Sequence, residues 1–157
     1  MKVNQWIKKI MLSVLLMCLG LSMVGCKQES LNGAEVILKL LDYNQDKALP
    51  QMIQAMASSD SQALEQFYEA MDKDVKDMFS EYFIAEALDD YLLKYQPELL
   101  KNLLGYTLPL QIDEPHVQEG DSQIITFSLK DAHQEEGELT FQVQYKDNKI
   151  SYIKYMV

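Results

Sequence analysis

Leu139-Thr140-Phe141-Gln142-Val143-Gln144-Tyr145-Lys146-Asp147-Asn148 decides the fold. Apolar and polar residues alternate from Leu139 to Lys146, which is the period of a strand with one buried face. Leu139, Phe141, Val143 and Tyr145 share that face, and Thr140, Gln142 and Gln144 take the other. Asp147-Asn148 suits a two-residue hairpin turn, because both residue types accept positive φ. Working outward, Ile125, Phe127 and Leu129 alternate upstream, and Ile153, Tyr155 and Val157 alternate downstream. Tyr106, Leu108, Leu110 and Ile112 also alternate, but Pro109 confines them to an edge strand or bulge.

Upstream of Gly105 the period is helical. Leu64, Phe67, Tyr68 and Met71 fall at i, i+3, i+4 and i+7, and Ser59 with Gln62 has the spacing of a capping box ahead of them. Val75, Met78, Phe79, Tyr82 and Phe83 form a second stripe, and Leu88, Tyr91, Leu92 and Tyr95 a third. Pro97 suits a first helical turn, followed by Leu99, Leu100, Leu103 and Leu104, with Gly105 at a C′ position. Helices followed by a meander predict an α+β domain. Its N-terminal helices (about 34–104) should pack on a C-terminal antiparallel sheet of about four strands (about 106–157).

The start of the chain reads as a targeting segment. Lys2, Lys8 and Lys9 form a positive n-region, and no charge follows from Ile10 to Val24. That apolar run is shorter than the roughly 20 residues needed to span a bilayer, and fits a signal h-region. Leu21-Ser22-Met23-Val24-Gly25-Cys26 resembles the bacterial lipobox, with Gly25 before the cleaved bond and Cys26 lipidated. Cys18 is the rival site, but bulky Met17 precedes it. The resemblance implies a signal peptide over 1–25, lipidated Cys26 with a short tether over 26–33, and one domain over 34–157. It also implies two acyl chains, enough for stable anchoring in the cell membrane on the extracytoplasmic face. Lysine without arginine, with frequent Asn, Gln and Ile, is a composition associated with low-GC Gram-positive bacteria.

Composition narrows the partners. The chain holds 14 basic residues, all lysine, against 24 acids; without Lys2, Lys8 and Lys9 the mature net charge is −13. Nucleic-acid binding is disfavoured, since it draws affinity from neutralising phosphates. Charged partners of such a domain should be cationic. With Cys18 removed and Cys26 lipidated, no disulfide can form, so stability must come from the apolar core.

Two segments carry a further resemblance. Ala55-Met56-Ala57-Ser58-Ser59-Asp60-Ser61-Gln62-Ala63-Leu64 is similar to the helix, small-residue turn, Asp, helix element of the nuclear-transport-factor-2-like (cystatin-like) superfamily. Gly137 to Ile150 resembles the terminal hairpin of an uncharacterised domain in Gram-positive lipoproteins. The resemblance implies a cone-shaped α+β fold with a cavity between helices and sheet. The Tyr and Asp constellation of the superfamily's isomerases has no matching positions here, so no catalytic residue carries over.

Candidate chemistry is sparse. His116 and His133 lack a second ligand at metal spacing, and Asp72, Asp74 and Asp77 lack the glycine and terminal glutamate of a calcium loop. No metal or cofactor is expected. Tyr68, Tyr82, Tyr91, Tyr95 and Tyr106 fall at core-facing positions and are the candidate pocket lining; ordinary core packing is the competing reading. The leading expectation is a non-enzymatic, lipid-anchored envelope module binding a small apolar ligand or an envelope protein. The alternatives are a pocket enzyme of isomerase or hydrolase type, and a homodimer through Thr140, Gln142 and Gln144. Cys26→Ala should release the protein from the membrane fraction while leaving the domain folded, as read by fractionation and circular dichroism. Retention after an alkaline wash would refute the lipobox reading.

Overall fold

The computed structural model describes residues 31–156. Gly25, Cys26, the rest of the targeting segment and Val157 lie outside the described residues. Helix α1 spans Gly33–Tyr43, and its Asn32 cap accepts the Glu35 N–H at 3.4 Å. Val36, Ile37, Leu40 and Leu41 recur on its buried face. The helix runs into a π turn, Asn44–Ala48, and continues as α2, Leu49–Ala57. Within the turn the Leu49 N–H donates to the Asn44 carbonyl, five residues back. Pro50 gives a reason: it has no N–H for the Asp46 carbonyl, and its ring would press on that carbonyl in a regular α-turn.

Helix α3 spans Ala63–Phe79 and buries Phe67, Met71, Val75 and Phe79. It merges two stripes that the sequence separates, and leaves Leu64 and Met78 exposed. The capping box expected from Ser59 and Gln62 does not form. Ser58 Oγ accepts the Asp60 N–H at 3.1 Å, and Asp60 Oδ1 accepts the Gln62 N–H at 2.9 Å. The short Asp60 side chain reaches the amide two residues on, and so starts the helix as an Asx turn. Helices α4, Ala85–Lys94, and α5, Gln96–Leu103, follow, with Pro97 in the first turn of α5. Gly105 takes the C′ place without positive φ.

The sheet contains five strands: β1 Gln111–Ile112, β2 His116–Gln118, β3 Gln123–Lys130, β4 Glu136–Lys146 and β5 Lys149–Met156. The order is β1-β3-β4-β5, all antiparallel, and β2 also pairs with β3. Strands β1 and β2 therefore lie along the same edge of β3, interrupted at Pro115, which has no N–H to offer the ladder. The sheet is four strands wide although five are counted. Tyr106 to Leu110 is irregular, bending at Tyr106, Leu108 and Pro109, so the first alternating run forms a strand only at its end. Asp147 and Asn148 both have left-handed φ, 52° and 57°, as a type I′ turn requires.

Ile125, Phe127, Leu139, Phe141 and Val143 are wholly buried on the inner face, joined by Leu129, Ile153 and Tyr155. Helices α4 and α5 pack on β5, which is also tied to the segment before α4: Ile150 N–H donates to the Tyr82 carbonyl at 2.8 Å, and Ile84 N–H to the Ile150 carbonyl at 2.9 Å. On the outer face Thr126 and Thr140 hydroxyls meet at 3.2 Å. Among the described residues no helix is long and apolar enough to cross a membrane.

Asp131 holds the β3–β4 turn. Its buried carboxylate accepts the N–H groups of Thr107 at 2.9 Å, His133 at 2.7 Å and Glu135 at 2.9 Å. These bonds, that of Thr107 foremost, hold the carboxyl below its ordinary pKa. A depressed folded-state pKa adds stability above the unfolded value, which is lost as pH falls through the folded value. Thermal stability should therefore drop below about pH 4. Asp131→Asn should lower Tm at pH 7 and flatten that acid limb in a pH series of melting curves.

Candidate functional site

The arrangement begins with Asn44. The apolar positions of α1 project Asn44 inward one turn after Leu40 and Leu41, and it is completely buried. Tyr91, in α4, donates its hydroxyl to Gln96 Oε1 at 2.6 Å. Gln96 Nε2 in turn donates to Asn44 Oδ1 at 2.5 Å and lies 3.6 Å from Met71 Sδ of α3. Asn44 Nδ2 has no hydrogen-bond partner. Burial pushes the Tyr91 hydroxyl far above its ordinary pKa, with the Asn44 amide opposing, so it remains a neutral donor.

Ala48 of the π turn is buried too, and the other three side chains point outward. Gln45 Oε1 accepts the Leu110 N–H at 2.9 Å, and Lys47 pairs with Asp74 at 2.6 Å. Asp46 joins Lys39, Asp42 and Tyr43 on one wall of a cleft of about 460 Å³, with Met78, Phe79 and Tyr82 opposite. Both cleft tyrosines carry a cation near the ring face: Lys39 Nζ is 5.3 Å from the Tyr82 centroid, and Lys47 Nζ is 5.9 Å from that of Tyr43. Lys39 is also tied to Glu35 at 3.4 Å, and that bond, with Tyr82 next, raises its pKa. Partial desolvation, then the charge of Asp46, raises the Asp42 pKa. Burial, followed by the charge of Asp74, raises that of Tyr43, whose hydroxyl is 3.4 Å from Asp74 Oδ2. The cleft is thus an aromatic floor under a rim carrying two carboxylates and one ammonium.

Other clefts lie among the described residues. One, about 680 Å³, is lined by Phe83, Ile84, Ala85 and Leu88 with Lys76, Asp89 and Lys149 at its rim, and Lys76 pairs with Asp89 at 2.7 Å. Another, about 430 Å³, lies at the β3–β4 end between Asp113, Lys130, Glu136 and Glu138.

The five candidate tyrosines are distributed among different surroundings. Tyr82 lines the aromatic cleft. Tyr91 belongs to the buried network. Tyr68 is half-buried beside Phe67, with ring centroids 5.1 Å apart. Tyr95 is half-buried at the α4–α5 junction, near Tyr152. Tyr106 lies over Gly137, where a Cβ would overlap its hydroxyl. His116 and His133 are exposed in β2 and in the β3–β4 turn. Among the described residues no group of three or more His, Cys, Asp or Glu side chains could hold a metal ion.

Sequence reading missed Asn44, Gln96, Lys39, Asp42 and Asp46. Asn44 left a signal, a polar residue at an inward position of an apolar stripe. The acids left none, since i, i+4 acids on a helix usually face only solvent. No protein-family model matches the chain, nor does any curated protein or solved structure.

Gln96→Leu should destabilise the domain by about 1–3 kcal/mol for each buried group it leaves unpaired. The triple replacement Asn44→Leu, Tyr91→Phe, Gln96→Leu should recover most of that loss, because no orphaned polar group remains. Denaturant unfolding of the two variants checks both statements.

Proposed function

We propose that the chain is a lipid-anchored, extracytoplasmic binding module of the cell envelope without enzymatic activity. Its cleft between α1 and α3 takes a small organic cation, or a cationic side chain of an envelope protein. The supporting observation is the placement of Lys39 Nζ 5.3 Å from the Tyr82 ring centroid: the cleft already holds an ammonium group against an aromatic face. Such contacts contribute about 0.5–1 kcal/mol when exposed and more when desolvated. Asp42 and Asp46 add attraction for positive charge, as does the net acidity of the mature chain. Anchoring through Cys26 and location on a low-GC Gram-positive membrane belong to the same proposal.

One observation favours the pocket-enzyme alternative. Asp42 has a raised pKa in a cleft that also holds a tyrosine, the combination a general acid would use. Both cleft acids are solvent-exposed, however, which leaves the binding reading ahead.

Choline, used as a test cation, should bind the mature protein in detergent, and native mass spectrometry should show its added mass. The double variant Asp42→Asn, Asp46→Asn should weaken that binding about tenfold, equivalent to about 1.4 kcal/mol. Equal binding by both proteins would refute the cleft assignment. Substrate turnover abolished by Asp42→Asn would favour the enzyme instead.

A further inference from the structure

The chain enters its folded domain beside the β4–β5 hairpin. Leu31 N–H donates to Asn148 Oδ1 at 2.8 Å, so a hairpin turn residue also latches the incoming chain. Gly33 lies against Tyr145, where a Cβ would overlap the phenol. The Tyr145 hydroxyl is fixed in turn, donating to Gln123 Oε1 at 2.6 Å. Residues 31 to 33 therefore belong to the domain, and the connection to Cys26 is shorter than the 26–33 tether expected from sequence. Only Lys27 to Ser30 separate Cys26 from Leu31. Fully extended, that connection reaches at most about 18 Å. Strand β4 alone, from Glu136 to Lys146, is about 33 Å long. The connection is too short for the β3–β4 end to reach the lipid while Leu31 stays latched.

We propose that the β4–β5 hairpin end is a membrane-facing surface, seated against the headgroups of the anchoring bilayer, with the β3–β4 end projecting outward. This rests on the lipobox reading of Cys26. Charge favours the same orientation over an anionic leaflet. Lys146 and Lys149 flank the hairpin turn with Asp147 between them, whereas the far end carries Asp131, Glu135, Glu136 and Glu138 against Lys130 alone. Glu119 and Asp121 share the hairpin end, so tether length carries the orientation and charge sorting assists it. The far acids stand more than a Debye length, about 8–10 Å, from the surface.

The mature lipoprotein has no free thiol under this reading, so single cysteines can be labelled. Lys146→Cys and Glu135→Cys, both at exposed positions, would each carry a fluorophore on the full lipidated protein. The proteins are reconstituted in vesicles of mixed phosphatidylcholine and phosphatidylglycerol bearing a headgroup nitroxide quencher. Quenching several-fold stronger at position 146 than at 135 is expected. Equal quenching, or stronger quenching at 135, overturns the orientation. An intact-mass measurement on the same samples separates the two levels of the argument. If the diacylglyceryl mass is absent from Cys26, the lipobox reading falls and the orientation falls with it. If the mass is present and quenching is equal, the orientation alone falls.

Discussion

The hydrogen-bond chain from Tyr91 through Gln96 to Asn44 is the constraint on which the helical layer depends. Apolar packing is non-directional, and a domain without disulfides has little else to fix helix register. In this chain the π turn, α4 and α5 each contribute one member, with Met71 of α3 alongside. In a low-dielectric interior such bonds are strong when made and costly when broken. Sliding one helix by a residue would strand an amide or a hydroxyl in the core. The unpartnered Asn44 Nδ2 is the part of this cost already present. With Asn44 and Ala48 pointing inward, the three residues between them point elsewhere: Gln45 to Leu110, Lys47 to Asp74, and Asp46 to the aromatic cleft. The rim of the candidate site is thus a consequence of an interior bond.

The sheet is organised by local rules. Strands β2 to β5 each pair with the next in sequence, β1 shares the β3 edge with β2, and two turns fix the register. The β4–β5 turn needs left-handed φ at both residues, which Asp and Asn tolerate better than most. The β3–β4 turn is longer and uses a buried carboxylate to satisfy three backbone amides. One of those amides, Thr107, belongs to the segment leaving α5, so Asp131 also ties the helical half to the sheet. The two ends differ as a result: one carries the chain entry and a mix of lysines and acids, the other an excess of acids.

Much of this fold was legible because its signals are periodic. The alternation from Leu139 to Tyr145 placed an inner face correctly, and Asp147-Asn148 formed the expected two-residue turn. Stripes over Phe67 and Met71, and over Leu88, Tyr91 and Leu92, became buried helix faces. Failures came where a single side chain competes with a pattern. Asp60 displaced the capping box, and of the first alternating run, already restricted by Pro109, only Gln111–Ile112 pairs as strand. The site was less legible for a different reason. Tyrosines at core-facing positions read alike in sequence, yet they split between a cleft, a buried hydrogen bond and half-buried packing. What separates them is partner geometry, which no helical period encodes. Gln96, beside Pro97, carries no periodic signal of burial and is a core residue.

The character of the aromatic cleft bears on recognition versus turnover. A carboxyl acting as a general acid near neutral pH needs deep burial or a like charge held close to it. Asp42 and Asp46 stand on an open rim, and the rise in the Asp42 pKa comes from partial desolvation and one like-charged neighbour. Such groups attract cations without being forced to exchange protons. The rings beneath supply short-range affinity that falls off within about 6 Å of the centroid. Lys39 then acts as an internal competitor for the Tyr82 face, held back by Glu35. In the proposed role, a ligand must bind that face better than a tethered ammonium does. Primary amines are nearly matched by Lys39 itself. A less strongly hydrated cation, such as a quaternary ammonium or a guanidinium, loses less water on reaching the ring and so has the advantage.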